Sequence, residues 1–426
     1  MQDIRSGRET ENSDMGRSAD VVVVGGGIAG SSLATVMARD GYQVVVLERQ
    51  ITYRDKVRGE VLLCWGVAEL FRLDLEKPLL DAGGCYLTRR VPYDEVTDSA
   101  QAEAAAAPLN RMLPGVPGVL AVGHPQACEA LTQAAAAAGA TVIRGVGEID
   151  LEAGDAPVVR YEHDGTVHEL RCRLVVGADG RTSTVRRRLG IALHQTTPRT
   201  MCGGMLVDGL HGWPANQISV GTEGDMLYSV FPRANGRARL YLSHDIAQKG
   251  RFAGPDRQAK FLATFGFRCI PGSEMFGAAR PAGPCAFYPT NDSWTDQPYA
   301  PGVVLVGDAA GWNDPIIGQG LSIAMRDVRI VTDILRAELD WSEAAFAGYG
   351  RERRERMRRL RIAARVRTDL AATFTPAGAA RRRAYNAVWR TDPVLGGPQL
   401  TVLLGPDNVP TASFSQRTID RILALA

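Results

Sequence analysis

At 426 residues the chain is too long for one ordinary domain, so two domains, or one large domain with an inserted layer, are expected. Hydrophobic residues make up 45% and charged residues 23%, a balance that lets a globular chain bury a large core; the net charge of +2 gives no reason to invoke nucleic acid or an anionic membrane. Seven scattered cysteines without a CxxC pair suggest neither a zinc site nor a disulfide framework, and fit a reducing cytoplasm.

Residues 1–18 are polar, lack the apolar core of a signal peptide, and are expected to be a disordered tail. No stretch reaches the roughly eighteen apolar residues that a membrane span needs. Asp20-Val-Val-Val-Val24 reads as a strand buried on both faces. A glycine turn, an apolar helix over Ile28–Arg39 and a second buried strand at 44–47 follow, a compact unit whose short spacing implies a parallel pair. A helix is expected over 61–73, a weakly periodic stretch over 101–118, a helix over 126–138 and a strand at 141–143. Segments 157–162 and 167–172 flank Asp164-Gly165 as a hairpin. After Gly190 the pattern becomes short alternating segments, the clearest being Met226–Arg233 and 237–244 around Asn235-Gly236. Strand–helix character returns at 302–307 and 321–339. Beyond Trp341 the chain reads as Arg-rich helix to about Val388, then looser.

Gly25-Gly-Gly27-Ile28-Ala29-Gly30 is a GxGxxG placed after a buried strand and opening a helix. Gly25 permits the tight turn, Gly27 the close approach of a diphosphate, and Gly30 the packing of helix on sheet. The helix N-terminus offers unpaired N–H groups to the phosphates. Eighteen residues beyond Gly30, Glu48 ends the second strand, where its carboxylate can take ribose hydroxyls; Arg49 adjoins it. These residues predict a bound dinucleotide without saying which.

Two further motifs point to flavin. Val175-Val-Gly-Ala-Asp179-Gly180-Arg-Thr-Ser183-Thr-Val-Arg186 resembles the GADGxxSxVR motif of the class A FAD-dependent monooxygenases, the flavoprotein hydroxylases typified by para-hydroxybenzoate hydroxylase. Gly307-Asp308-Ala-Ala-Gly-Trp312-Asn-Asp-Pro315-Ile-Ile-Gly318-Gln319-Gly320 is similar to that family's GDAAHxxxPxxGxG, with Gly311 where the family usually has His. The resemblance covers residues 19–345 in motif order and is specific only in the three motifs. It implies FAD as cofactor and NAD(P)H as co-substrate. Asp179 would orient its loop, Arg181 or Arg186 would meet the nicotinamide nucleotide, and Asp308 would bind the ribityl chain. Pro315 would lie near the isoalloxazine, with Gly318, Gln319 and Gly320 offering backbone N–H groups to its ring. Arg58 is a further cofactor candidate, the alternative being a surface ion pair with Glu60. Gly123-His124-Pro-Gln126 stands where relatives commonly carry Arg, which leaves His124 and Gln126 only weakly assigned. Ser183 reads as a helix cap.

The expected fold is α/β. A Rossmann-like FAD-binding domain (19–80, 118–190 and 286–345) carries an inserted, mainly antiparallel substrate sheet (81–117 and 191–285) and a C-terminal helical region (346–426). The expected reaction inserts one oxygen atom of O2, by way of a flavin C4a-hydroperoxide, into an aromatic or polyketide-like small molecule, as in secondary metabolism. Since the cofactor carries the hard step, no catalytic residue is named and no metal is expected. Pocket candidates are Met205, Tyr228, Phe231, Tyr241, His244, Trp312 and Pro315. Leu227, Ser229 and Phe231 share one face of their strand and Met226, Tyr228 and Val230 the other; the sequence does not say which meets the flavin. The nine arginines of 351–367 are expected on a solvated helix face that buries Met357, Leu360 and Ala364. A flavin-dependent reductase of the geranylgeranyl-reductase type shares GDAAG, a flavin-dependent halogenase shares Gly59-Glu60 but not its GWxWxIP signature, and a non-catalytic FAD-binding protein would leave the ring motif unexplained. A cytoplasmic monomer or homodimer is expected.

Overall fold

The computed structural model describes residues 17–425. Most of the expected tail lies outside them, but Arg17 and Ser18 already pair with Leu170 and Arg171, so the first strand starts earlier than its apolar run. A tail need not be apolar to extend a ladder whose partner is long enough.

Arg17–Val24 pairs in parallel with Val44–Glu48 on one side and Thr166–Gly177 on the other. Thr141–Arg144 and Val303–Leu305 extend this parallel core outward, and Tyr299–Ala300 closes one edge antiparallel. Val21 to Val24 are buried on both faces, as an uninterrupted apolar strand requires. Val21, Val23, Val44 and Val46 pack beneath helices Ile28–Arg39, His124–Ala137 and Gly320–Ala337. Val22, Val24, Val175 and Leu305 face the other way, onto Val159 and Tyr161. Those two come from an antiparallel meander, Ile149–Glu152, Val158–His163 and the first half of Thr166–Gly177. Its hairpin turns through Asp164 and Gly165, both at positive φ, as the Asp-Gly pair predicts.

The second sheet runs Arg280–Pro281, Thr200–Asp208, Arg237–Asp245, Met226–Arg233, Gln217–Glu223, Arg89–Val91, Ala107–Pro108, with Ala286–Thr290 also on Thr200–Asp208. Only the pairing of Gln217–Glu223 with Arg89–Val91 is parallel. Asn235 and Gly236, at φ of 62° and 69°, turn its central hairpin. Its outer face buries Met205, Tyr228, Val230, Leu240 and Leu242 against Phe261, Phe265 and Phe276. Its inner face looks onto the parallel domain.

Two expectations change locally. Val61–Leu62 pairs with Leu120 and Ala121 as a strand, and the helix begins only at Cys64. A partner strand overrides local helix propensity there. The region expected to be loose after Val388 holds helices Pro393–Leu404 and Gln416–Leu423. Asp392 caps the first of them by accepting from Val394 and Leu395 N–H. Among the described residues no helix is long and apolar enough to cross a membrane.

Candidate functional site

The three motifs converge on one cavity of about 1060 Å³. Gly25, at φ 104°, sits where a Cβ would stand 2.5 Å from the Ala178 carbonyl oxygen. A Cβ at Gly30 would stand 1.9 Å from the Gly25 oxygen, so this glycine serves packing and is not on the cavity wall. Gly27 is the opposite case: it lines the cavity, and a Cβ there would meet nothing within 4 Å. Ile28 and Ala29 follow it along the wall, at the N-terminus of a twelve-residue helix with no side-chain cap. Glu48 is buried and accepts from Gly26 N–H at 2.7 Å and from Gln50 N–H at 2.6 Å, which aims its carboxylate at the glycine turn. Arg49 is exposed at the rim.

Asp179 Oδ2 accepts from Thr184 N–H at 2.6 Å and Val185 N–H at 3.2 Å, which fixes the second loop. Gly180 turns that loop at φ 76°. Ser183 caps the short helix by accepting from Arg186 N–H at 3.0 Å. Arg186 is buried off the cavity and donates to the carbonyls of Ala309 and Arg181, tying the second loop to the third. Of the two arginines expected to meet a nicotinamide nucleotide, only Arg181 reaches the wall. It donates to Asp308 Oδ2 at 3.1 Å and lies over the Trp312 ring at 5.1 Å.

The third loop starts at Gly307, φ 59°, and brings Asp308, Trp312, Pro315, Gly318 and Gly320 to the wall. Gly318 and Gly320 again leave a Cβ nothing to meet within 4 Å, so their backbone is open to a ligand. Gln319 offers only backbone: its side chain turns inward, accepting from Trp65 Nε1–H and donating to Ile317 O. Gly311, at φ 106°, passes so near a neighbouring strand that a Cβ would stand 2.5 Å from Ser293 O.

What holds this loop from behind was not expected. Asp327, with no solvent exposure, accepts from Gly307 N–H, Arg353 Nε–H and Arg356 Nη2–H. Arg353 also donates to the carbonyls of Gly307, Ala310 and Gly311 at 2.8–3.0 Å. The Arg-rich helix does bury Met357, Leu360 and Ala364, but Arg353 and Arg356 are buried with them rather than solvated. The only signal was their spacing of three, on the stripe of Tyr349, Met357 and Leu360.

On the opposite wall the inner face of the antiparallel sheet presents Leu227, Ser229 and Phe231, with Tyr241 and Ser243. Tyr228, His244 and Met205 lie on the outer face. Tyr228 donates to the Tyr93 carbonyl at 2.7 Å, and His244 packs between Phe252 and Phe287. Alternation puts Tyr228 and His244 opposite Phe231 and Tyr241, so those three pocket candidates are core residues. Arg58 lines the cavity with its guanidinium 4.5 Å over the Tyr288 ring. It has no bond to Glu60, which is buried and pairs instead with Arg233 at 2.6 Å and Arg239 at 3.0 Å. His124 lines the cavity, Gln126 does not. Burial pushes the Tyr241 phenol well above its ordinary value, so at neutral pH it is a hydrogen-bond donor and not a base.

A family model described as FAD binding domain matches residues 18–363. Squalene monooxygenase of Mus musculus is 26% identical over 326 residues, 74% of this chain and 54% of its own length. Rifampicin monooxygenase of Streptomyces venezuelae is 28% identical over 332 residues, 75% of this chain and 64% of its own. The chain therefore spans between about half and two thirds of these relatives. A flavoprotein/dehydrogenase from Cytophaga hutchinsonii shares the fold with a TM-score of 0.75 at 19% identity, covering 95% of this chain and 98% of that one. For p-nitrophenol 4-monooxygenase PnpA from Pseudomonas putida the TM-score is 0.74 at 19% identity, with 96% and 98% covered. Three glycine-bearing turns on one cavity and a family match across residues 18–363 place this chain in the FAD-binding domain family of flavoproteins.

Proposed function

We propose that the chain is a FAD-dependent monooxygenase that inserts one oxygen atom of O2 into an aromatic or polyketide-like small molecule, with NAD(P)H supplying the electrons. One observation carries this: a single cavity runs from the glycine turn at Gly27, past Asp308 and Gly318, to the inner face of the antiparallel sheet at Ser229 and Tyr241. A cofactor and a substrate can share that space.

The groups present fit FAD. Gly27 leaves room for a diphosphate at an uncapped helix N-terminus. Glu48 suits the adenosine ribose and Asp308 the ribityl hydroxyls. Gly318 and Gly320 leave backbone open for the ring, and the eighteen-residue helix beginning at Gly320 directs its positive end to the same place. When bound, FAD supplies electron transfer from NAD(P)H and oxygen activation. The protein's own task is to position and to exclude water. Leu227 and Phe231 provide apolar wall, while Ser229, Ser243 and the protonated Tyr241 provide hydroxyls that orient a substrate. Trp312 and Tyr288 give flat surfaces beside Arg181 and Arg58.

Purified protein should be yellow and release FAD on denaturation. A metabolite screen under ¹⁸O2 should show substrate-stimulated NAD(P)H oxidation with label in the product. Turnover without oxygen would instead assign a reductase, and a protein that cannot take up FAD would end the proposal.

A further inference from the structure

The inner face of the antiparallel sheet can be followed strand by strand through its register. Tyr288 stands beside Cys202, Cys202 beside Ser243, Tyr241 beside Ser229, and Arg90 beside Ile218. Tyr288, next to Arg58, is therefore near one edge of this face and Arg90 near the other, about five strand spacings or roughly 24 Å apart. Arg90 lines the cavity. Over it comes Arg367, also on the wall, from the last turns of the helix Ala347–Ala371. Gln399, Val402 and Leu403 of Pro393–Leu404 also line the cavity, with the Val402 carbonyl accepting from Gln319 Nε2–H at 3.2 Å. Arg367, Gln399, Val402 and Leu403 all lie beyond residue 363, where the family match ends.

The two guanidinium groups at this end lack a direct partner. Among the described residues neither guanidinium has a hydrogen bond or an ion pair, although neighbouring arginines do. Arg89 pairs with Glu103, and Arg382 takes Asp94 at 2.9 Å and Glu95 at 2.7 Å, so the nearby carboxylates are already satisfied. Burial, then the charges of Arg367 and Arg390, push Arg90 down to about 10. Burial likewise lowers Arg367, with Arg382 opposing its charge and Asp94 favouring it. Two half-buried cations side by side repel one another, and an anion between them would relieve that.

We propose that Arg90 and Arg367 form the subsite for a carboxylate on the small-molecule substrate. This rests on the substrate reading of the cavity given above. It argues against a neutral hydrocarbon as ligand, because an apolar molecule would displace water from both charges and leave them unmet. Two guanidinium forks match the planar, bidentate geometry of a carboxylate. The rest of the ligand would lie along Ile218 and Phe231 toward Ser229 and Tyr241.

The test is equilibrium binding to the FAD-loaded protein, read from flavin absorbance. The probes are benzoate and 2-naphthoate, each against its methyl ester. At least one acid should bind about tenfold or more tightly than its ester. Arg90→Met and Arg367→Met should each remove that preference and leave the ester's affinity unchanged, with Lys at either position restoring part of it. Neither Met variant should lower the Tm of the substrate-free holoprotein, since each removes a half-buried charge that has no direct partner; a merely structural arginine would lower it. Equal binding of acid and ester, failure of both acids to bind, or an acid preference surviving in both variants would overturn the proposal. So would variants that weaken only NADH or NADPH, which would assign the pair to the nucleotide. The measurement needs neither oxygen nor turnover. An acid preference in a protein that oxygenates nothing keeps the subsite and removes the monooxygenase reading, and the reverse result does the opposite.

Discussion

Gly27 and Gly311 show two different reasons for a glycine. At Gly27 the backbone is not at positive φ and a Cβ would meet nothing, so the folded chain tolerates a side chain there but a diphosphate does not. Gly27→Val should therefore match the ligand-free wild type in circular dichroism and Tm while losing flavin absorbance on gel filtration; a yellow variant would remove the assigned role. At Gly311 both φ and the approach of Ser293 O demand glycine. The glycine there is accounted for by backbone packing alone. Asp314, just before Pro315, gives a pH prediction. Burial first, and also the charge of Asp292, raise its carboxyl to about 6. A carboxyl raised by folding favours the protonated fold, so its contribution is present at acid pH and lost as pH rises from about 4 to about 6. Asp314→Asn keeps an acceptor for the Ile316 N–H now bound at 2.9 Å. It should be more stable than wild type at pH 7.5, by on the order of 2 kcal/mol, with the gap closing toward pH 4. Thermal melts across that range check it, and a gap independent of pH would refute it.

Two helices, Gly320–Ala337 and Ala347–Ala371, clasp the third loop through Asp327 and Arg353. Arg353→Met would leave the buried Asp327 with one partner fewer and three loop carbonyls without their donor, at a cost of about 3–5 kcal/mol. We expect a lower Tm and loss of flavin, with Arg353→Lys a partial substitute because an ammonium cannot span the carbonyls and the carboxylate together. The neighbouring exposed Arg354→Met should change stability by less than about 0.5 kcal/mol. Similar melts for the two Met variants would remove the clasp. This element also marks where sequence reasoning stops. The glycine turns are legible because strand, turn and helix are contiguous, and local sterics decide them. Arg353 is not, since in sequence a charge reads as solvent-facing and its partner Asp327 lies on another helix. The choice between the Leu227–Ser229–Phe231 and Met226–Tyr228–Val230 faces is equally hidden. Both are apolar enough to be core, and only pairing with distant strands says which one looks onto the cavity.

At the scale of the molecule, the parallel sheet with its helices and the antiparallel sheet are joined by buried charge. Glu60, from the segment after the second strand, takes Arg233 and Arg239 of the sheet, and Arg239 also takes Asp55 at 2.6 Å. Glu60 and Arg239 are each no more than 3% exposed, so water cannot replace a lost partner. Glu60 also lines the cavity, so the cluster sets the sheet's position at the wall where substrate and flavin would meet. Glu60→Ala takes from Arg233 its carboxylate partner and leaves Arg239 with Asp55 alone, at a cost of about 3–5 kcal/mol. Adding Arg233→Met and Arg239→Leu removes the stranded charges and should recover much of that loss, since apolar groups replace buried ion networks with little penalty. Calorimetry should show the single variant melting several degrees below wild type, or as two transitions once the two layers uncouple. The triple variant should melt as one transition at a higher temperature than the single. If Glu60→Ala melts like wild type, the cluster does not couple the domains, and the two halves of the cavity are held together by apolar packing alone.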